Sequence, residues 1–350
     1  MSVALVTGAT GLVGSHIVER LLDAGWRVRA LIRGSAVRQA AANEWDGAAW
    51  LRQLGVELAP GDILDLPTFI DAARGCEVIF HTAAAVTPTT SRVHPYDAYR
   101  IPNVSGTRNA IAAAERSGAR LLQLSSVAVY GPESRYAHGA TTLSEENAPT
   151  DPIPERAYYS RSKRESEELV MRAHAEGRIW AAAVRPDVIY GARDRQFVPR
   201  IARLLRLRVV PLIGRGSSTL AIVHAASVAD GAVRAATTEL AGGRAYNLAN
   251  DFDVTVRDFF LLAARGLESA IQFVPVPVGL ARVGFALVKR VLTIATGGRM
   301  SVVSTASIDF LTKDNPFDSE RARRELGWNP RVRPEVGVVE AFRWWKEHRA

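Results

Sequence analysis

Short apolar runs alternate with longer amphipathic stretches through the first half of the chain, a pattern that predicts βαβ units and a parallel sheet. Val3–Val6 reads as a buried strand, followed by a helix over Leu12–Ala24 and a second strand at Arg27–Ile32. Further strands are expected at Val56–Ala59, Val78–His81, Arg120–Leu124 and Trp180–Val184, with helices at Pro67–Arg74, Ile101–Ser117 and Tyr158–Ala175. These strands are near-continuous apolar runs, as strands covered on both faces must be. Beyond about residue 186 the pattern loosens, and 187–224 and 251–315 are richer in Pro and Gly. They read as insertions gathered into a smaller lobe, while the stretch around 226–249 returns to the main sheet.

Composition narrows the class. The 350 residues can bury a large core, and 47% hydrophobic with 23% charged residues excludes a disordered or fibrous chain. Cys76 is the single cysteine, which rules out an intrachain disulfide and fits a reducing compartment. The start, MSVALVTGATG, lacks the basic and long apolar stretches of a secretory signal, so a cytoplasmic location is expected. Phe273–Ala295 is the most apolar long segment, but Arg282, Lys289 and Arg290 interrupt it. It reads as amphipathic helices rather than a membrane span, allowing at most weak membrane association. The formal charge of +8 comes from scattered arginines without interleaved aromatics, which suits steering of small anionic ligands better than nucleic-acid binding.

Chemistry enters where the first strand ends, at Thr7-Gly8-Ala9-Thr10-Gly11-Leu12-Val13-Gly14. Glycines at 8, 11 and 14 permit a tight turn, close approach of backbone to a pyrophosphate, and close packing of helix on strand. The helix after them aims its first N–H groups at the phosphates. A glycine triplet alone is weak evidence, but here it follows a strand and opens a helix, the context a dinucleotide site requires. The fold class is therefore α/β, a doubly wound (Rossmann) parallel sheet over 1–186 completed by 226–249. A smaller C-terminal substrate-binding lobe would comprise 187–225 and 250–350. At the end of the second strand no carboxylate is in reach of a ribose hydroxyl. Arg33 stands there instead, with Arg38 as a second cation, so NADP(H) is preferred and NAD(H) remains usable. Asp62, followed by Ile63, can accept a hydrogen bond from the adenine amino group. Thr82, Ala83 and Ala84 are small enough for a flat cofactor to lie against their backbone, although tight helix packing would select the same residues.

The catalytic candidates are Tyr159 and Lys163, four residues apart and so on one face of a helix. Carbonyl reduction needs a proton donor beside the oxygen, and an adjacent ammonium favours the phenolate form of a tyrosine. Tyr158 has Ser162 at the same spacing, so Tyr159 is the better candidate. Ser125 and Ser126 end the strand Arg120–Leu124; Ser126 suits the substrate carbonyl and Ser125 the cofactor side, with strand-end capping as the plain alternative. Asn103 could support a water relay to Lys163, or serve only as an interior polar residue.

In order, Gly8-x-x-Gly11-x-x-Gly14, Asp62, the alanines 83–85, Asn103, Ser126, Tyr159-x-x-x-Lys163 and Arg185-Pro186 resemble the extended short-chain dehydrogenases/reductases, the NAD-dependent epimerase/dehydratase superfamily. The likeness continues through Val223-His224 to 317–328. The stretches VRALIRGS and GDILD…GCEVIFHTAAAV are similar to its 3β-hydroxysteroid dehydrogenase and dihydroflavonol reductase branch, in which an arginine at the position of Arg33 accompanies NADP(H) use. The resemblance implies a homodimer, no metal, cofactor contacts also from Pro186 and Val188, and a substrate cleft lined by Val86, Thr87, Val127, Asp187, Tyr190 and Phe197. Those apolar walls suit a bulky apolar ketone or alcohol. Departures sharpen the choice: Val127 and Ala128 stand where the dehydratases carry an Asp-Glu pair, which removes that reading, and Leu220-Ala221 replace the Arg-Asp of sugar-nucleotide epimerases, which argues against a nucleotide-sugar substrate. The expectation is an NADP(H)-dependent ketone reductase or secondary-alcohol dehydrogenase. A sugar-nucleotide epimerase and a non-catalytic cofactor sensor are the alternatives.

Overall fold

The computed structural model describes residues 2–34, 45–86, 95–131, 143–145, 152–249, 251–284, 286 and 305–348. Strands β1 (Val3–Thr7), β2 (Arg27–Ile32), β3 (Glu57–Pro60), β4 (Val78–His81), β5 (Arg120–Leu124) and β6 (Ala181–Pro186) form one sheet. After β7 (Val188–Tyr190), β8 (Val209–Ile213) and β9 (Ile222–His224), β10 (Ala245–Leu248) returns to its edge. The order is β10-β6-β5-β4-β1-β2-β3, with every neighbour parallel. Strand order reverses at β1, whose neighbours are β4 and β2. In sheets of this kind the crevice at the carboxyl ends beside such a reversal is where ligands bind.

Helices cover both faces, which is why the strands are mostly apolar. The residues Ala4, Val6, Val28, Phe80, Leu122 and Val184 pack with Ile17 of α1 (Leu12–Asp23) and Ala232 of α8 (Ala225–Thr237). The alternate residues Leu5, Ile79, Leu121 and Ala181 pack with Phe69 of α3 (Leu66–Ala73), Ala110 of α5 (Gly106–Ser117) and Val170 of α6 (Tyr158–Ala175). Burying one of the Val, Leu, Ile or Phe side chains among these stabilises the fold by about 1.5–3 kcal/mol. A second core, built on Tyr190, Val198, Leu212, Phe259 and Phe342, underlies the smaller lobe.

Two expectations are corrected. Phe273–Val276 is not helical: it lies in β11 (Gln272–Val276), paired in parallel with β8. Pro275 lacks the N–H that a helix interior would use, whereas a strand at a sheet edge tolerates it. The chain is helical over 278–284, and the rest of that apolar segment, apart from residue 286, lies outside the described residues. The lobe also loses its far end. Ala322, Leu326 and Trp328 pack into the main core, and Trp328 Nε1 donates to the Ser227 carbonyl at 2.8 Å. No helix among the described residues is long and apolar enough to cross a membrane.

Candidate active site

The carboxyl ends of β1, β4, β5 and β6 deliver the candidate residues to one edge of the sheet. At β1 the chain turns through Gly8, whose φ of +68° lies in the left-handed region that favours glycine. A Cβ on Gly14 would sit 2.2 Å from the Gly8 carbonyl oxygen, so helix and turn touch backbone to backbone. Gly11 caps α1 without any side-chain hydrogen bond, which leaves the first helical N–H groups to a ligand. Thr10, Gly11 and Leu12 are half-buried, and Val13 and Gly14 are buried. Thr10 also packs against the first residue of α2 (Gly47–Gln53): a Cβ on Gly47 would come within 2.8 Å of Thr10 Cβ.

Thr7 ties this turn to the next strand. The N–H groups of Thr82 and Ala83 each donate to Thr7 Oγ1 at 3.2 Å, and Thr82 Oγ1 donates to the Thr7 carbonyl at 2.6 Å. Both lone pairs of the Thr7 hydroxyl are then engaged, so its proton points to His81 Nδ1, 3.0 Å away. That assigns His81 the tautomer protonated on Nε2. Burial, reinforced by the nearby Lys163 charge, pushes the His81 pKa down to about 3 and keeps the ring neutral.

Arg33 is exposed where β2 ends, and the Gly61 N–H donates to the Ile32 carbonyl at 3.0 Å, so the turn carrying Asp62 lies beside it. Asp62 Oδ1 accepts the Leu64 N–H at 2.9 Å. Ile63 packs under Gly106 at the start of α5 and accepts a hydrogen bond from Asn109 Nδ2 at 2.8 Å. Arg38 and Thr87 lie outside the described residues.

Tyr159 and Lys163 stand one turn apart in α6. Lys163 is buried and its Nζ donates to the Leu124 carbonyl, the last of β5, at 2.8 Å. Burial depresses its pKa to about 8, against an opposing pull from Glu167. Glu167, one turn further along α6, takes a two-pronged hydrogen bond from Arg185 of β6, with Nε at 3.1 and 3.0 Å from its two oxygens. Burial works against the Arg185 charge, but Glu167 outweighs it and the guanidinium stays firmly protonated. Arg185 also donates to Tyr130 Oη at 3.0 Å, and Tyr130 donates to Asn247 Oδ1 at 2.7 Å. A buried polar row thus runs behind Lys163.

Asn103 lies in a π-helical turn, Ile101–Ser105, between α4 (Asp97–Arg100) and α5. Its amide clamps one residue by both main-chain groups, accepting from Ala85 N–H at 2.7 Å and donating to the Ala85 carbonyl at 3.0 Å; it also donates to Ser162 Oγ at 2.9 Å. Its own carbonyl accepts from Thr107 and Ser166 hydroxyls at 2.7 and 2.9 Å. Asn103 therefore joins the loop after β4 to α6. Such one-turn π segments recur at functional sites. Ser126, two residues after β5, accepts the Ala128 N–H at 3.2 Å, which leaves its own proton for another acceptor. Ser125 Oγ is buried with no hydrogen-bond partner among the described residues. A buried hydroxyl of that kind, a turn closed to any Cβ and an uncapped helix start together suit a dinucleotide.

The expected pocket lining is only partly realised. Val86 is exposed beside the site, and Phe197 is half-buried on Phe259, with ring centres 5.6 Å apart. Val127 and Tyr190, at 0% and 1% exposure, are packed in the cores. They are corrected from pocket wall to framework. Asp187 is buried directly after Pro186, and Val188 starts β7 half-buried. Thr7, His81, Glu167 and Arg185 escaped assignment; only Glu167, repeating the four-residue step from Lys163, carried a periodic signal.

Comparison with known proteins identifies the family and several relatives. A model of the NAD dependent epimerase/dehydratase family matches residues 4–249. The 4-hydroxy-2-methyl-3-oxo-4-farnesyl-3,4-dihydroquinoline-1-oxide ketoreductase of Stigmatella aurantiaca is 27% identical over 339 residues, covering 95% of this chain and 93% of that protein. The 2-alkyl-3-oxoalkanoate reductase of Shewanella oneidensis is 28% identical, covering 97% of this chain and 85% of that protein. The crystal structure of gox2253 superposes with a TM-score of 0.71 at 27% identity, covering 100% of this chain and 99% of that one.

Proposed function

The chain belongs to the NAD dependent epimerase/dehydratase family and is an NAD(P)-dependent oxidoreductase; from that premise we propose that it is an NADPH-dependent reductase of bulky apolar ketones. The observation that carries the reading is Lys163, a buried ammonium anchored on the end of β5 one helical turn from Tyr159.

The turn at Gly8–Gly14 and the start of α1 would hold the pyrophosphate, with Ser125, Pro186 and Val188 near the nicotinamide end. Arg33 would take the 2′-phosphate that distinguishes NADP(H), through charge-assisted hydrogen bonds. The bound nicotinamide supplies hydride to the carbonyl carbon. Tyr159 Oη donates its proton to the carbonyl oxygen as charge builds there, and Lys163 stabilises the phenolate left behind. Ser126 donates a hydrogen bond to the same oxygen. Asn103 and the Glu167–Arg185 pair would act as positioning residues, the first tying α6 to the loop after β4 and the second to β6.

The Stigmatella and Shewanella relatives are named for reducing ketones on molecules with long apolar parts, which supports the same substrate class here. A sugar-nucleotide substrate gains no support at Leu220 and Ala221, both apolar and buried. The test is oxidation of NADPH against a panel of apolar cyclic and acyclic ketones. Steady turnover of some member is expected; NADPH binding with no turnover across the panel would refute the reading.

A further inference from the structure

Tyr99 is an aromatic side chain beside the proposed catalytic tyrosine with no part in the chemistry assigned so far. Its ring centre lies 6.3 Å from that of Tyr159 and 6.5 Å from that of Tyr158, with interplanar angles of 58° and 36°. Both separations fall within the range of attractive aromatic pairs. The ring is half-buried and so keeps surface for a ligand. Burial raises its pKa, so the phenol stays neutral and does not compete with Tyr159 as a proton-transfer group.

The backbone carrying Tyr99 is pinned on both sides. Before it, Tyr96 Oη donates to Glu165 Oε2 at 2.7 Å, and the Arg161 guanidinium covers the Tyr96 ring at 4.3 Å. After it, Asn103 grips Ala85 and Ser162. The residues flanking this short helix are thus tied to α6 and to the loop after β4. They hold one ring at a set distance from the reacting hydroxyl, as a recognition surface requires.

We propose that Tyr99 is the aromatic wall of the substrate pocket and selects ketones whose carbonyl belongs to a flat ring system, which stacks on Tyr99 while its oxygen meets Tyr159. This rests on the ketone-reductase reading. Tyr99 is a specificity-determining residue, acting on binding of the ring rather than on proton transfer.

The experiment measures kcat and KM with NADPH for 2-tetralone, a flat ring ketone, and 2-octanone, an acyclic one. It compares wild type with Tyr99→Phe, Tyr99→Leu and Tyr99→Ala. For 2-tetralone, Tyr99→Leu and Tyr99→Ala are expected to raise KM about tenfold, the size of one aromatic contact, with kcat within about twofold. KM for 2-octanone and for NADPH should stay within about twofold, and Tyr99→Phe should behave as wild type. The proposal is overturned if Tyr99→Leu leaves KM for 2-tetralone unchanged, or if kcat falls equally for both ketones, since the ring would then merely buttress Tyr159. It also falls if wild type reduces 2-octanone but not 2-tetralone. A wild type that reduces neither of these two but does reduce other ketones of the panel also overturns it, while NADPH binding with no turnover across the whole panel removes the reductase reading and this proposal together.

Discussion

The most informative single residue is Lys163, because its burial has a cost that its chemistry requires. An exposed lysine titrates near 10.5, and desolvation brings this one to about 8, a difference of about 3 kcal/mol. The sign follows from proton binding. Between about pH 8 and 10.5 the unfolded chain holds the proton and the folded chain does not, so stability rises with pH across that window. Below pH 8 the folded state bears the full cost. Lys163→Met should therefore abolish turnover yet melt no lower than wild type at pH 7. Its relative advantage should shrink as pH climbs toward 10.5, as thermal melts at pH 7, 9 and 10.5 would record. The spacing of Tyr159 and Lys163 was legible in the sequence because one helical turn is a local relation. The tautomer of His81 was not, since it depends on a Thr7 hydroxyl 74 residues away engaged by two amides of the following loop.

At the scale of elements, the strands of the main sheet were readable because burial on both faces leaves a near-continuous apolar run. β11 was not. Its partner β8 lies about 60 residues earlier, and Pro275 and Pro277 give no periodic signal of their own. The Arg185–Glu167 pair belongs to this scale, because it bolts β6 to α6. Removing one partner strands a buried charge. Glu167→Leu should thus cost about 3–5 kcal/mol in urea melts, while Glu167→Leu with Arg185→Leu should recover most of the loss. Asn103→Ala releases the β4 loop from α6. It should destabilise by about 2 kcal/mol and raise KM for NADPH more than it lowers kcat.

Across the whole molecule, the packing of the segment around Trp328 was not legible in the Pro- and Gly-rich pattern. Trp328 returns to the main core through a hydrogen bond to Ser227, a contact between residues 101 apart. The net charge of +8 acts on this scale too. Arg33 lies exposed at the edge of the crevice, so kcat/KM for NADPH should fall more steeply with ionic strength than for NADH. Arg33→Ala should cut the NADPH/NADH preference at least tenfold and flatten that difference. The account as a whole rests on proton delivery by one phenol, and Tyr159→Phe removes that proton while keeping the ring. NADPH affinity and single-turnover reduction of a ketone that wild type accepts should be measured in the same preparation. Unchanged affinity with reduction slowed at least about 100-fold is the predicted result; reduction at the wild-type rate would contradict it.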